Sequence, residues 1–373
     1  MMVETFIRKV EPHTARGGRG KGLPEKEASL YTTLADNYVK CSVCPHRCTI
    51  RPGGKGVCKT RTNKDGRLYT AIYGEVTSTA VDPIEKKPLF HFWPGSSSFS
   101  ISAVGCSFKC PWCQNYHISQ VEPGDAFTDQ LEPEKIVELA KRYNCKSISY
   151  TYNEPIIWHE YVLDTARLAK KEGILNVLVT NGYITPEALS EISKHIDAAN
   201  VDVKGFNEAF YKEYCKAELK PVLDAAEEMK KKGIHVETTT LIIPKLNDDP
   251  KETLELSKWH IEMLGPDTPL HFSRFYPSYK FSNVPPTPVE TITNARDLAM
   301  NEGIRYVYAG NVPGDPGENT YCPSCKQLLI ERYGYEISQW HLTDANRCEK
   351  CLNPIAILGT LERRPSRFSR LTL

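Results

Sequence analysis

The sequence predicts an α/β protein: a partial (β/α) barrel with a small cysteine-rich module before it and a zinc-ribbon-like module after it. Three observations point there. Strand and helix signals alternate from about residue 98 to 310, and such alternation favours a mostly parallel sheet covered by helices. Polar and glycine residues recur at the C-terminal end of each strand, where sites gather in such folds. Eleven of the 13 cysteines fall in three groups, over 41–58, 106–113 and 322–351. Six or seven βα units fit the length, which is short for a full eight-unit barrel. A doubly wound open sheet is the alternative.

Residues 1–35 are polar and glycine-rich around GGRGKG and are expected to be mobile. The cysteine-rich module spans 36–95 and ends in VDPIEKKPLFHFWPG. The barrel is expected over 96–317. Its strands are SFSISAV, SISYTY, ILNVLVTNG, AANVDVKG, IHVETTTLIIP, PLHFSRF and IRYVYAG. Its helices are PEKIVELAKRY, with a Pro in the first turn, then IIWHEYVLDTARLAKKEG, PEALSEISKH, PVLDAAEEMKKKG, KETLELSKWHIEML and VETITNARDLAMNEG. The ribbon-like module follows over 318–356, and a basic tail over 357–373.

Lys and Arg total 47 against 46 Asp and Glu, which argues against bulk electrostatic binding of nucleic acid. No apolar run approaches the ~18–20 residues that span a bilayer. The N-terminus lacks an apolar signal core, so no membrane association and a cytoplasmic location are expected. Thirteen cysteines in such a chain point to metal rather than disulfides. Cys145 and Cys215 stand alone and read as buried apolar thiols.

The run GCSFKCPWCQN carries Cys106, Cys110 and Cys113 directly after the first strand. Structural zinc wants four ligands, and nothing nearby completes a set unless His117 is recruited. Three thiolates can instead hold three irons of a [4Fe–4S] cluster and leave the fourth open to a substrate or cofactor. Further motifs follow each later strand: Tyr152–Pro155 (YNEP), Thr180–Gly182 (TNG), Asp202–Gly205 (DVKG), Lys245 and Asn247, Ser273–Pro277 and Gly310–Gly314.

The C-x3-C-x2-C spacing, with Trp112 before the last cysteine, resembles the signature of radical S-adenosylmethionine (SAM) enzymes. The likeness extends to CSVCPHRCTI…GVC, VDPIEKKPLFHFWPG, YTYNEP, VTNGY, NVDVKGF, HFSRFYP, YAGNVPG and YCPSC…CEKC, over about 41–351. The chain is similar to the group containing pyruvate formate-lyase activating enzymes, and within it to the radical SAM family of the AmmeMemoRadiSam system. The resemblance implies a partial barrel of the radical SAM type. It also implies a [4Fe–4S] cluster on Cys106, Cys110 and Cys113 with SAM on its open iron. One electron, from a donor such as flavodoxin or ferredoxin, would cleave SAM to methionine and a 5′-deoxyadenosyl radical. That radical would take hydrogen from an unidentified substrate: a small molecule, a protein or an RNA. The cofactor carries the chemistry while the protein binds and orients it. Cofactor contacts are expected from Trp112, Asn153, Glu154, Thr180, Asp202 and Lys204. Val179 stands where glycyl-radical activases often carry an Asp.

Cys322, Cys325, Cys348 and Cys351 form two C-x2-C knuckles separated by 22 residues, a pattern for four-thiolate zinc. A rubredoxin-type iron uses similar knuckles. Cys41, Cys44, Cys48 and Cys58 form a second set whose spacing leaves zinc and an auxiliary iron–sulfur cluster both open. His117, His159, His235 and His271 are softer candidates for the barrel mouth, as are Tyr276, Tyr279 and Lys280; none is assigned a catalytic role. Two other functions remain as alternatives: a glycyl-radical enzyme activase, and a multi-zinc RNA- or protein-binding module.

Overall fold

The computed structural model describes residues 26–362. Its centre is one eight-stranded sheet: β1 (Ser78–Pro83), β2 (Ser97–Ser102), β3 (Ser147–Tyr150), β4 (Leu175–Thr180), β5 (Ala198–Asp202), β6 (His235–Ile242), β7 (Leu270–Arg274) and β8 (Val307–Gly310). Neighbours in the sheet follow chain order. Strands β2 to β8 are all parallel, and β1 pairs antiparallel with β2. The seven parallel strands are those expected from the sequence. β1 is not: its SerThrAlaValAspPro lies inside the segment read as the cysteine-rich module.

Helices α1 (Pro133–Arg142), α2 (His159–Lys171), α3 (Pro186–Ile192), α4 (Lys220–Lys231), α5 (Pro250–Trp259) and α6 (Val289–Glu302) connect successive strands. Local chemistry explains their starts. Thr185 caps α3 by accepting the Ala188 N–H, and Asp249 caps α5 by accepting the Lys251 N–H. α1, α3, α4 and α5 carry Pro in the first turn, where its missing N–H is harmless.

Residues 26–76 build small antiparallel sheets against the barrel. Of the segment expected to be mobile, Lys26–Glu27 and Tyr31–Thr33 are paired strands; residues 1–25 lie outside the described residues. The ribbon adds β9 (Thr320–Tyr321), β10 (Leu328–Tyr333) and β11 (Glu336–Trp340) as an antiparallel sheet. Of the basic tail, residues 363–373 lie outside the described residues. Among the described residues, no helix is long and apolar enough to cross a membrane.

The strand starts are closed by a buried charge knot. Glu237 on β6 accepts the N–H groups of Phe90 (3.0 Å) and His91 (2.7 Å), and bonds the rings of His235 (3.0 Å) and His271 (2.7 Å). His235 and His271, considered above for the mouth, therefore sit at the opposite end, because they begin their strands. Burial works to raise the Glu237 pKa, but these bonds hold it well below the carboxylate value of 4.5. Its contribution to stability is thus present above pH 4.5 and erodes as pH falls below it. Glu237→Gln should cost about 3 kcal/mol, since it leaves buried donors without their charge partner. Urea unfolding at pH 7 measures this; an unchanged midpoint would rule out the knot as a stabilising element.

Candidate active site at the sheet mouth

The triad loop follows β2 and is fixed from several elements. Asn153 does much of this: its Oδ1 accepts the Ala103 N–H (3.1 Å) and its Nδ2 donates to the Gly105 carbonyl (2.9 Å). Gly105 has φ +91°, and a Cβ there would meet Thr60 Cγ2 at 2.7 Å and the Cys58 carbonyl at 2.9 Å, so only glycine lets the chains approach. Asn115 donates to the Tyr152 carbonyl (2.8 Å), the Lys109 N–H to the Cys215 carbonyl (3.0 Å), and the Lys280 N–H to the Pro111 carbonyl (2.9 Å). Trp112 is buried among Phe210, Tyr214 and Phe281, anchoring the loop by packing.

The three sulfurs have distinct surroundings. Cys106 Sγ accepts from the Phe108 N–H (3.3 Å) and from Asn181 Nδ2 (3.9 Å). Cys113 Sγ lies 3.1 Å from Ser119 Oγ, and Cys110 Sγ lies 3.9 Å from Cys215 Sγ. Burial, and then the Glu154 carboxylate, push the Cys106 thiol up. The Cys215 thiol and burial do the same for Cys110. A bound cation reverses that balance and deprotonates such thiols. Among the described residues, the triad is not a set whose sulfurs lie within 4.8 Å of one another. One shared zinc would hold its sulfurs about 3.8 Å apart, whereas a cluster gives each thiolate its own iron, and the unconverged triad fits the second.

Glu154 ties β3 to β4. It is buried and accepts from Thr180 Oγ1 (2.8 Å), the Asn181 N–H (2.7 Å) and the Ile156 N–H (3.0 Å). Burial raises its pKa to about 7 against those bonds. Thr180 Oγ1 also accepts the Gly182 N–H (3.0 Å), so both Thr180 and Glu154 already have internal partners. Asp202 is different: its Oδ2 pairs with Lys204 Nζ, while its buried Oδ1 has no hydrogen-bond partner. Burial works to lower the Lys204 pKa, but Asp202 and the nearby Cys110 hold it above the ordinary lysine value. Asn247, after β6, supports this turn by donating to the Lys204 carbonyl (2.8 Å).

The mouth's rim includes Tyr279, stacked on Tyr116 with ring centroids 4.6 Å apart, and Tyr276, whose hydroxyl reaches the Asn311 carbonyl (3.3 Å). His117 is exposed beside Tyr116. His159 lies on the outer helix α2, bonded to Glu191 (2.9 Å), and not at the mouth. Beneath the mouth, the Tyr152 hydroxyl meets Asp82, which also holds Lys87 (2.6 Å), Lys86 (2.9 Å) and Ser100 Oγ (2.8 Å). Burial lowers the Lys87 pKa to about 8 against the Asp82 charge. Cys215, Asp82 and Lys87 were not singled out as site residues from the sequence. No local spacing joins them to the triad; the chain crossings do.

The other two cysteine sets lie elsewhere. Cys322, Cys325, Cys348 and Cys351 converge with all four sulfurs within 4.8 Å, at 3.6 Å for Cys322–Cys351 and 3.7 Å for Cys325–Cys348. Burial opposes the Cys348 thiolate, yet the Cys351 and Lys350 N–H groups hold its pKa down to about 7. This set packs near Tyr306 and Tyr308 at the start of β8, away from the triad. Cys41, Cys44, Cys48 and Cys58 surround a separate cavity.

The Radical SAM superfamily model matches residues 100–257, which begin just before the triad and end in α5. An uncharacterized protein of Methanocaldococcus jannaschii is 49% identical over 334 residues, 89% of this chain and 99% of that protein. The pyruvate formate-lyase 1-activating enzyme of Escherichia coli K12 is 22% identical over 218 residues, 55% of this chain and 89% of that enzyme. Among solved structures, a radical SAM methyltransferase from Sphaerobacter thermophilus shows 13% identity and a TM-score of 0.48, covering 79% of this chain and 81% of that one. The family match carries the same three cysteines that the fold delivers to the sheet mouth, within a chain alike to its relative over nearly the whole length, and on that ground the protein belongs to the radical SAM superfamily of enzymes.

Proposed function

We propose that this protein is a radical SAM enzyme whose cluster binds Cys106, Cys110 and Cys113. The observation that carries the reading is the triad itself: three cysteines on one loop at the strand-end mouth, not converged as the Cys322 set is. When bound, the [4Fe–4S] cluster and SAM supply reductive cleavage to methionine and a 5′-deoxyadenosyl radical that abstracts hydrogen from the substrate. The chain's own residues position and shield. Asn153 and Asn181 hold the triad loop, and Glu154 and Thr180 join the two strand ends behind it. The unpartnered Asp202 Oδ1 is an acceptor suited to a hydroxyl or ammonium of SAM, while its other oxygen pairs with Lys204. The electron comes from a one-electron carrier of the flavodoxin or ferredoxin kind. The Cys322 set takes a single tetrahedral ion, to which its sulfur spacing is matched, and zinc is the assignment favoured by four thiolates on two C-x2-C knuckles. The sequence motifs of the AmmeMemoRadiSam radical SAM family support placing the chain there. Similarity to the E. coli activating enzyme favours one second reading, activation of a glycyl-radical enzyme.

Anaerobic reconstitution with iron and sulfide, then SAM and a strong reductant, should yield 5′-deoxyadenosine; none from cluster-loaded protein rules the reading out. Asp202→Asn should weaken SAM binding about tenfold, the scale of one lost charge-assisted bond. Equilibrium dialysis measures it, with iron content unchanged. Equal affinity would remove Asp202 from the contact set. Electron paramagnetic resonance of a co-incubated partner enzyme decides the activase reading: no backbone radical there excludes it.

A further inference from the structure

We propose that Cys41, Cys44, Cys48 and Cys58 hold a second [4Fe–4S] cluster, placed to pass electrons to the triad. The four cysteines line one common small cavity, together with Arg61 and Ile157. Among the described residues, no three of their sulfurs lie within 4.8 Å of one another. The Cys322 set in the same chain shows the contrast, with sulfurs at 3.6 and 3.7 Å. A single tetrahedral ion with bonds of about 2.3 Å draws sulfurs to about 3.8 Å and leaves no space between them. A cubane gives each thiolate a different iron, so its sulfurs stand farther apart, on the order of 6 Å. Four cysteines that line one cavity without three of their sulfurs converging fit the second arrangement.

The surroundings fit an anionic iron–sulfur group. Arg61 is buried at 2% side-chain exposure, and its charge is shared with Glu160 at 2.7 Å. Its Nε lies buried with no hydrogen-bond partner while the side chain lines the cavity. A four-thiolate cluster is net negative and would satisfy that donor. Two sulfurs already accept bonds, Cys48 from the Val57 N–H (3.4 Å) and Cys58 from Thr60 Oγ1 (3.2 Å), and such bonds help set a cluster's potential.

The two cysteine sets meet at one residue. A Cβ on Gly105 would lie 2.9 Å from the Cys58 carbonyl and 3.2 Å from Ile157 Cδ1, a cavity-lining atom's side chain. The residue after Gly105 is Cys106. His46, between Cys44 and Cys48, bonds the Ser107 carbonyl at 2.9 Å, a second bridge. Along this route a one-electron carrier protein reduces the outer cluster from 2+ to 1+. The outer cluster then returns to 2+ as the triad cluster goes from 2+ to 1+. This relay rests on the reading of the triad given above; the presence of the outer cluster does not.

The test uses the full chain with Cys106, Cys110 and Cys113 all replaced by Ala, which leaves the outer set intact. After anaerobic reconstitution and desalting it should keep about four acid-labile sulfides per chain and a Mössbauer spectrum of a [4Fe–4S] cluster. Mononuclear zinc or rubredoxin-type iron carries no such sulfide, so absence of sulfide overturns the outer cluster, whether or not a second metal ion is bound beside that of the Cys322 set. In the unaltered chain, full reduction should give electron paramagnetic resonance signals broadened by coupling between two clusters. The triad-less chain should give one unbroadened signal. Two unbroadened signals in the unaltered chain overturn the relay while leaving both clusters standing.

Discussion

Replacing any one of Cys106, Cys110 and Cys113 with Ala is expected to abolish 5′-deoxyadenosine formation, down to the protein-free control. The loss is complete rather than graded because the three thiolates act as one unit, and a cluster with two protein ligands has no fixed open iron to present. The loop should otherwise stay folded. Trp112 keeps its packing against Phe210 and Phe281, and Asn153 keeps its two backbone bonds to the loop. Circular dichroism and the unfolding midpoint should therefore change little, while the iron and sulfide belonging to this site are lost. A variant that still makes 5′-deoxyadenosine from SAM would remove the triad from the chemistry.

Withdrawing the metal from Cys322, Cys325, Cys348 and Cys351 should unfold the ribbon and loosen the barrel floor. Structural zinc commonly supplies on the order of 10 kcal/mol to modules of this kind, and the ribbon's own core is small. That core is mainly Leu329, Ile330, Leu342 and Ile355, shared with Phe90, Tyr306 and Tyr308 of the barrel. The consequence spreads through Arg332. Its guanidinium donates to the Phe90 carbonyl (3.1 Å) and Thr320 Oγ1 (2.7 Å), and lies 4.3 Å from the Phe90 ring centroid. Phe90 in turn donates its N–H to Glu237. Cys348→Ser or a strong chelator should thus release about one zinc per chain. Hydrogen exchange should rise over 318–356 and over 84–92, with the triad's iron retained. Unchanged protection after zinc release would show that the ribbon folds without its metal.

Much of the barrel was legible because its signals are local. Each parallel strand is an apolar run closed by Gly, Pro or polar residues, and most of the helices open on Pro or a capping side chain. The strand Ser78–Pro83 was not legible. Its inward Asp82 reads as a loop residue until Lys87, Tyr152 and Ser100 are seen around it. Residues 26–33 failed for the same reason: short polar strands have no periodicity, and only their partners define them. At the site, His159, His235 and His271 do not lie at the C-terminal strand ends, whereas the triad and the residues after β3, β4 and β5 do. Their tasks differ from one another in a way that spacing does not reveal. Asn153, Glu154 and Thr180 have their polar atoms filled by the protein, whereas Asp202 retains a free acceptor.

The sequence by itself determined the seven parallel strands, the strand-end location of chemistry and the three cysteine groups. Each of these is written within a few residues of chain. The tertiary structure decided how the sulfurs of each cysteine group are spaced, because sulfur separation depends on how distant loops cross. It also decided which polar atoms are left open for a ligand. An acceptor is free or filled only with respect to neighbours that the fold supplies.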